Sequence, residues 1–159
     1  MDWIKSLTDA PLDELQQTEL VLPRQSNHYG TLYAPEALAM LGKTAYLAAA
    51  RYCEQSVVMA SAKNVEFLAP APVGALVRLH AKVRALRHCS MTVEVRALLD
   101  DASGAGATEV LQASFVMVAV DAQGRPAAAT PRRRTHAASL DPSLQTSSDP
   151  GVSAAPAVR

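Results

Sequence analysis

Three polar side chains crowd the segment that leads into the most apolar helical stretch of this sequence: Asn27, His28 and Glu36. A carboxylate such as Glu36 can activate water or attack a carbonyl, and a histidine can carry a proton near neutral pH. Each also has a plainer use. Asparagine at a loop start hydrogen-bonds its own backbone a few residues on. An acidic residue in a first helical turn complements the helix dipole. Ser61 and Cys53 are nucleophile types placed further along the chain. Cys53 and Cys89 are the only cysteines. They lack the close spacing of a zinc motif or a disulfide framework and read as reduced thiols, so no metal site is expected. Arg84 and Arg87, just ahead of Ser90, offer guanidinium groups that suit phosphates; Arg84 reads equally well as a solvated strand residue.

The elements that must position these groups are legible from pattern. The opening, Met1 to Leu15, suits a short helix capped by Thr8 or Asp9, with Pro11 early. Thr18 to Pro23 suits a first strand ended by its proline. After a polar loop, Arg24 to Gly30, Pro35 to Tyr52 carries Leu38, Leu41, Ala45, Ala48 and Tyr52 at helical spacing. With only Glu36, Lys43 and Arg51 charged, that helix should be central and wrapped on several sides.

Four strand-like runs follow: Ser56 to Leu68, Ala75 to Leu86, Ser90 to Asp100 and Thr108 to Asp121. In the second, Val77, Leu79, Ala81, Val83 and Ala85 alternate with Arg78, His80, Lys82 and Arg84. In the third, Met91, Val93, Val95 and Ala97 share a face. The fourth is apolar on both faces, as a central or interface strand would be. An 18-residue helix is about 27 Å long, and strands of about 12 residues reach roughly 40 Å. A curled antiparallel sheet can therefore enclose the helix: an α+β hotdog architecture, with exposed sheet edges that invite oligomerisation. The expected organisation is an N-terminal extension over 1–15, the hotdog domain over 16–126 and a disordered tail over 127–159. That tail is rich in Ala, Ser, Thr and Pro, and its cluster Arg132, Arg133 and Arg134 reads as solvated.

Bulk properties narrow the partners. Lys plus Arg equals Asp plus Glu at 15 each, so no net field draws the chain to nucleic acid or to a membrane surface. No run of about 18 apolar residues is present to span a bilayer. Met1 to Lys5 has one basic residue and no apolar stretch of signal-peptide type. A cytoplasmic protein is expected.

The segment Asn27-His28-Tyr29-Gly30-Thr31-Leu32-Tyr33-Ala34-Pro35-Glu36-Ala37-Leu38 resembles the helix opening of hotdog acyl-CoA hydrolases, Asn-x-x-Gly-Thr-(Leu/Ile)-(Phe/Tyr)-Gly-Gly-(Glu/Gln), which leads into a helix carrying Met-Asp. Val65-Glu66-Phe67-Leu68-Ala69-Pro70-Ala71-Pro72-Val73-Gly74 is similar to their strand and turn, and Ser90-Met91-Thr92-Val93-Glu94-Val95 to their Ser-Met-x-Val-x-Val strand. Phe115 to Asp121, with Gly124-Arg125-Pro126, resembles the closing strand; the likeness covers about residues 18 to 131.

The resemblance implies acyl-CoA thioester hydrolysis at a site shared across a dimer interface. It needs no cofactor, since CoA is part of the substrate. Asn27 matches the family asparagine, and Ala34 stands where a glycine presents its N–H to the thioester carbonyl. Gly30 and Thr31 lie in the substrate loop. Arg87 and Ser90 fall near the CoA-binding motif, with Arg87-His88-Cys89-Ser90 in place of the usual Gly-Arg-(Thr/Ser)-Ser. Two departures stand out: Pro35 replaces a glycine, and Gly42 replaces the helix aspartate, leaving Glu36 as the candidate acid. Two functions stay open on these residues. One is a working thioesterase with Asn27, Ala34 and Glu36 as catalytic residues. The other is a catalytically degenerate hotdog that binds acyl-CoA, or that pairs with a hotdog paralogue supplying the aspartate.

Overall fold

The computed structural model describes residues 12–100 and 106–132. Seven-residue β1 (Glu14–Leu20) leads through a short 3-10 turn (Pro23–Gln25) into α1 (Ala34–Cys53). Strands β2 (Val57–Phe67), β3 (Leu76–Leu86), β4 (Ser90–Asp100) and β5 (Ala107–Ala119) follow. All pairings are antiparallel, in one sheet of order β1-β3-β4-β5-β2. Four strands of 11 to 13 residues therefore curl around one 20-residue helix, and β1 and β2 form the edges.

The helix lies on the concave face through Ala37, Leu41, Ala45, Ala48 and Ala49, all buried against the inner residues of the sheet. Small alanines let the helix backbone approach the sheet closely, and Phe115, Met117, Met91 and Leu79 are fully buried in the layer between. The wrapping is one-sided. Ala39, Tyr46 and Leu47 are exposed on the side away from the sheet, so a central helix enclosed on several sides is not what one protomer contains.

Several expectations shift in detail. The first strand is Glu14–Leu20 rather than Thr18 to Pro23. Its inward positions Gln17 and Glu19 are polar, which hides the alternation that marks a strand. Gln17 Nε2 donates to Thr44 Oγ1 at 2.7 Å, and Lys43 meets Glu19 at 2.5 Å, so the helix supplies partners for both. Thr44, fully buried, completes its own bonding by donating to the Met40 carbonyl at 2.8 Å. The expected N-terminal helix falls mostly outside the described residues, but Glu14 and Leu15 are strand.

In β3 the alternation breaks at Arg84. Val83 pairs with Val93, but Ala85 pairs with Thr92, so the extra residue turns Ala85 outward and exposes it. Strand β5 is interior rather than an interface edge, between β4 and β2, with Val116 and Val118 half-buried on the outer face. The ordered chain also runs past 126. Ala127 donates to Ala119, Ala129 to the His88 carbonyl and Arg132 to the Tyr52 carbonyl, at 2.9, 2.8 and 2.7 Å. Arg132 pairs with Glu54 at 3.0 Å, and Ala129 is buried. Residues 127–132 are thus a strap across the helix C-terminus. The remainder of the expected tail, from Arg133, lies outside the described residues.

Candidate active site

The loop before α1 is organised by one side chain. Asn27 Oδ1 accepts the backbone N–H of Tyr29 at 3.0 Å and of Thr31 at 3.2 Å, and its Nδ2 donates to Thr31 Oγ1 at 3.0 Å. Its own N–H donates to the Thr31 carbonyl at 2.8 Å, which closes the turn. Gly30, at φ +73°, takes the left-handed conformation that this turn requires, and its carbonyl accepts from Val73 N–H. Leu32 N–H donates to the Ala71 carbonyl at 2.7 Å, so the loop is fastened to the β2–β3 connection.

The helix opens without a cap. Tyr33 occupies the capping position but makes no side-chain hydrogen bond to the first turn. Pro35 has no N–H, and Ala37 N–H is taken by the Tyr33 carbonyl. Among the described residues Ala34 N–H has no hydrogen-bond partner. A free donor therefore stands at the positive end of a 20-residue helix dipole, exposed at the surface.

Directly beneath it lies a cavity of about 370 Å³ between the first two turns of α1 and the open end of the sheet. Exposed Ala34, Phe67, Leu68 and Pro70, with half-buried Asn27, mark the solvent side of the lining, and Leu41, Leu79 and Ala97 are among the buried residues at its inner end. Asn27 is the sole polar side chain of the lining. The arrangement can hold an apolar chain, with a polar head at the uncapped N–H.

The structure places Asn27 and Ala34 in the cavity lining, and it ties Thr31 to Asn27 and holds Gly30 in the same turn, beside the lining rather than in it. Glu36 shares the first helical turn but stands exposed, outside the lining. Arg87 and Ser90 lie in the β3–β4 hairpin, where Arg87 N–H donates to the Ser90 carbonyl. Eight residues separate Arg87 from Leu79 at the cavity floor, about 27 Å along an extended strand. Within one protomer they do not belong to the same site. His28 is exposed and stacks on Tyr29, their ring centroids 3.9 Å apart. Cys53 is buried at the opposite end of the helix, its thiol donating to the Ala49 carbonyl at 3.2 Å. No group of three or more His, Cys, Asp or Glu side chains among the described residues could hold a metal ion.

Gly42 lies on a different side of α1 from the cavity, over β2. A Cβ there would meet the Met59 methyl at 2.9 Å and Phe115 at 3.9 Å. Glycine in the helix and methionine in the strand are thus complementary shapes. No sequence signal links residues 42 and 59, and none pointed to Leu68–Ala71 as the cavity roof.

A chain identified in a hexameric acyl-CoA thioesterase crystal structure superposes with a TM-score of 0.70 and 32% identity, over 78% of this chain and 80% of that one. The chain belongs to the thioesterase superfamily. The family model of that description matches residues 29–106, the stretch that holds the uncapped helix opening, most of the cavity wall and the hairpin. Among its relatives, the Helicobacter pylori protein VdlD is 31% identical over 121 residues, 76% of this chain and 69% of that protein. The acyl-CoA hydrolase of Staphylococcus aureus, solved with butyryl-CoA and CoA, is 25% identical, with a TM-score of 0.71 over 75% of this chain and 73% of that one. Within the superfamily, the α+β hotdog architecture expected from the strand and helix order is the fold observed.

Proposed function

We propose that this protein hydrolyses acyl-CoA thioesters to the free acid and CoA. The observation that carries the proposal is the free Ala34 N–H at the dipole end of α1, set over an apolar cavity of acyl-chain dimensions. The acyl chain enters the cavity, and the thioester carbonyl oxygen turns to Ala34 N–H. Water adds to the carbonyl carbon and gives up a proton, and the oxyanion is held by the N–H and the dipole. Collapse breaks the C–S bond, and the CoA thiolate takes a proton. Asn27 fixes the loop that frames the carbonyl, and Gly30 and Thr31 form its rim. Glu36 shares the first turn with Ala34 but lies outside the cavity lining, so it is the candidate carboxylate for drawing the proton from water on the solvent side. The reaction so written needs no cofactor.

The site is completed by a second copy. Strand β2 is an edge whose Val58, Met59 and Phe67 are each about half exposed. Two-fold antiparallel pairing of β2 with the partner's β2 sets the Phe67 end beside the partner's Val57 end. That end adjoins the β3–β4 hairpin, because Ser90 and Val58 both pair with Val118. The partner's Arg87 and Ser90 then lie about three strand spacings, roughly 14 Å, from the cavity mouth, a distance that the pantetheine arm of CoA spans. The hexameric assemblies of similar thioesterases support this reading. Both cysteines of the described chain are free thiols, in keeping with a cytoplasmic setting.

The test is release of CoA thiol from purified protein across a series of acyl-CoAs, with light scattering on the same sample. Turnover by a dimer or larger even assembly is the expected result. Absence of turnover with every acyl-CoA, while acyl-CoA still raises the melting temperature, would replace hydrolysis with binding. A stable monomer would remove the shared site.

A further inference from the structure

On the reading of the site as a thioesterase, the geometry points to neutral, straight acyl chains of about eight carbons as its substrates, with Ala97 setting the length. From Ala34 at the mouth to Leu41 at the floor is seven helical steps, about 10 Å. An extended chain advancing roughly 1.3 Å per carbon, as bond lengths near 1.5 Å dictate, places about eight carbons in that depth. The volume of about 370 Å³ lies in the range of small-molecule pockets, enough to admit such a chain. The depth therefore sets the scale, and the volume accommodates it.

The wall sets the polarity. Apart from Asn27 at the mouth, every lining side chain is apolar. Neither a carboxylate nor a hydroxyl at the far end of an acyl chain would find a partner, and a desolvated charge is strongly disfavoured. Dicarboxylic acyl groups are excluded.

The depth has one evident source. Ala97 on β4 pairs with Leu79 on β3 and with Leu111 on β5, so three buried side chains stand abreast on the inner face. The middle one is short. The dimple left between two leucines is the floor of the cavity, and a larger residue there fills it from below. Of the inner β4 residues, Met91, Val93 and Val95 are each larger than Ala97 and none lines the cavity.

The experiment pairs turnover with binding. Rates are measured for acetyl-, octanoyl-, dodecanoyl-, palmitoyl- and succinyl-CoA, and melting shifts for the non-hydrolysable thioethers S-ethyl-CoA and S-octyl-CoA. Wild type should favour octanoyl over acetyl by at least tenfold in kcat/KM, since each buried methylene contributes a factor of about four. Succinyl-CoA should be a poor substrate. In A97L the octanoyl-to-acetyl ratio should fall at least tenfold, and in the milder A97V it should move the same way, each variant melting cooperatively. An unchanged ratio in both folded variants, or succinyl-CoA turned over as fast as octanoyl-CoA, overturns the assignment while leaving thioester hydrolysis intact. Should no acyl-CoA be hydrolysed at all, the thioethers decide. A larger shift from S-octyl-CoA than from S-ethyl-CoA, lost in A97L, upholds the length assignment, and equal shifts overturn it.

Discussion

Asn27 joins loop geometry to chemistry, and its two contributions can be separated. Its Oδ1 accepts two backbone N–H groups, and its Nδ2 holds Thr31. Asn27→Ala should lower stability by about 1 kcal/mol, the net contribution of such hydrogen bonds where water can replace them, and should cut turnover at least tenfold. Asn27→Asp keeps the acceptor oxygen and loses the amide donor, so it should recover most of the melting temperature but not the rate. Equal recovery of both would show that Asn27 acts only by shaping the loop. Gly42 poses the opposite problem. Its resemblance to the family's aspartate position is plain in the sequence, but its fit against Met59 is not, because the two come together only when the helix is laid over β2. A carboxylate at 42 must displace the Met59 methyl, the free end of a half-exposed side chain, and would stand at a buried helix position beside Phe115. The few tenths of a kcal/mol gained by removing a helical glycine cannot offset that. Gly42→Asp alone should therefore destabilise. Combined with Met59→Ala, it should regain stability and raise acyl-CoA hydrolysis toward the roughly hundredfold contribution of a placed base. A double variant that folds yet hydrolyses no faster would place the base elsewhere, with Glu36→Gln the next substitution to measure.

At the scale of elements, most of the fold was legible because its strands alternate and its helix repeats at the expected spacing. Helix and strand limits agree within one or two residues for α1, β2, β3, β4 and β5. What escaped was decided by contacts distant in sequence. The inward Gln17 and Glu19 are satisfied by a helix some 25 residues later. The strap 127–132 has no periodicity, and it is held by backbone bonds to His88 and Tyr52 that composition does not report. Ending the chain after Arg132 should leave the melting temperature unchanged. Ending it after Pro126 should lower the melting temperature by several degrees, since a buried alanine and the bond to the Tyr52 carbonyl are lost. Calorimetry on the two truncations checks this.

Carboxylates on the outer face of the sheet and in the turn after β5 give a pH dependence. Glu109 is held below the ordinary carboxylate range by hydrogen bonding to Arg96, Glu14 by Lys82 and then His80, and Asp121 by the backbone N–H of Arg125. Each has a lower pKa folded than unfolded. Their contribution is complete above the ordinary carboxylate pKa near 4 and is lost as pH falls through the lowered folded values. Melting temperature should decline progressively on acidification below about pH 4.5, and Glu109→Gln should shallow that slope. An unaltered slope would show that the pair with Arg96 contributes nothing to acid stability.

For the whole molecule, the apolar surface left by one protomer is the feature to explain. Tyr46 and Leu47 on α1, with Val58, Met59 and Phe67 on β2, adjoin an unpaired strand edge, a combination that water tolerates poorly and a second copy covers. The sequence suggested assembly through β5, but it could not show which strand is the edge, since strand order depends on pairing rather than pattern. The distance between the cavity mouth and the β3–β4 hairpin has a genetic consequence. If each site draws Asn27 from one subunit and Arg87 from the other, then Asn27→Ala and Arg87→Ala are complementing lesions. Each inactive or weakened homodimer carries two damaged sites. After the two variants are unfolded together and refolded, half the dimers are mixed. Each mixed dimer has one site with both defects and one with neither, so about a quarter of wild-type activity should return. Were both residues supplied by the same subunit, every site in the mixture would keep one lesion, and mixing would restore nothing.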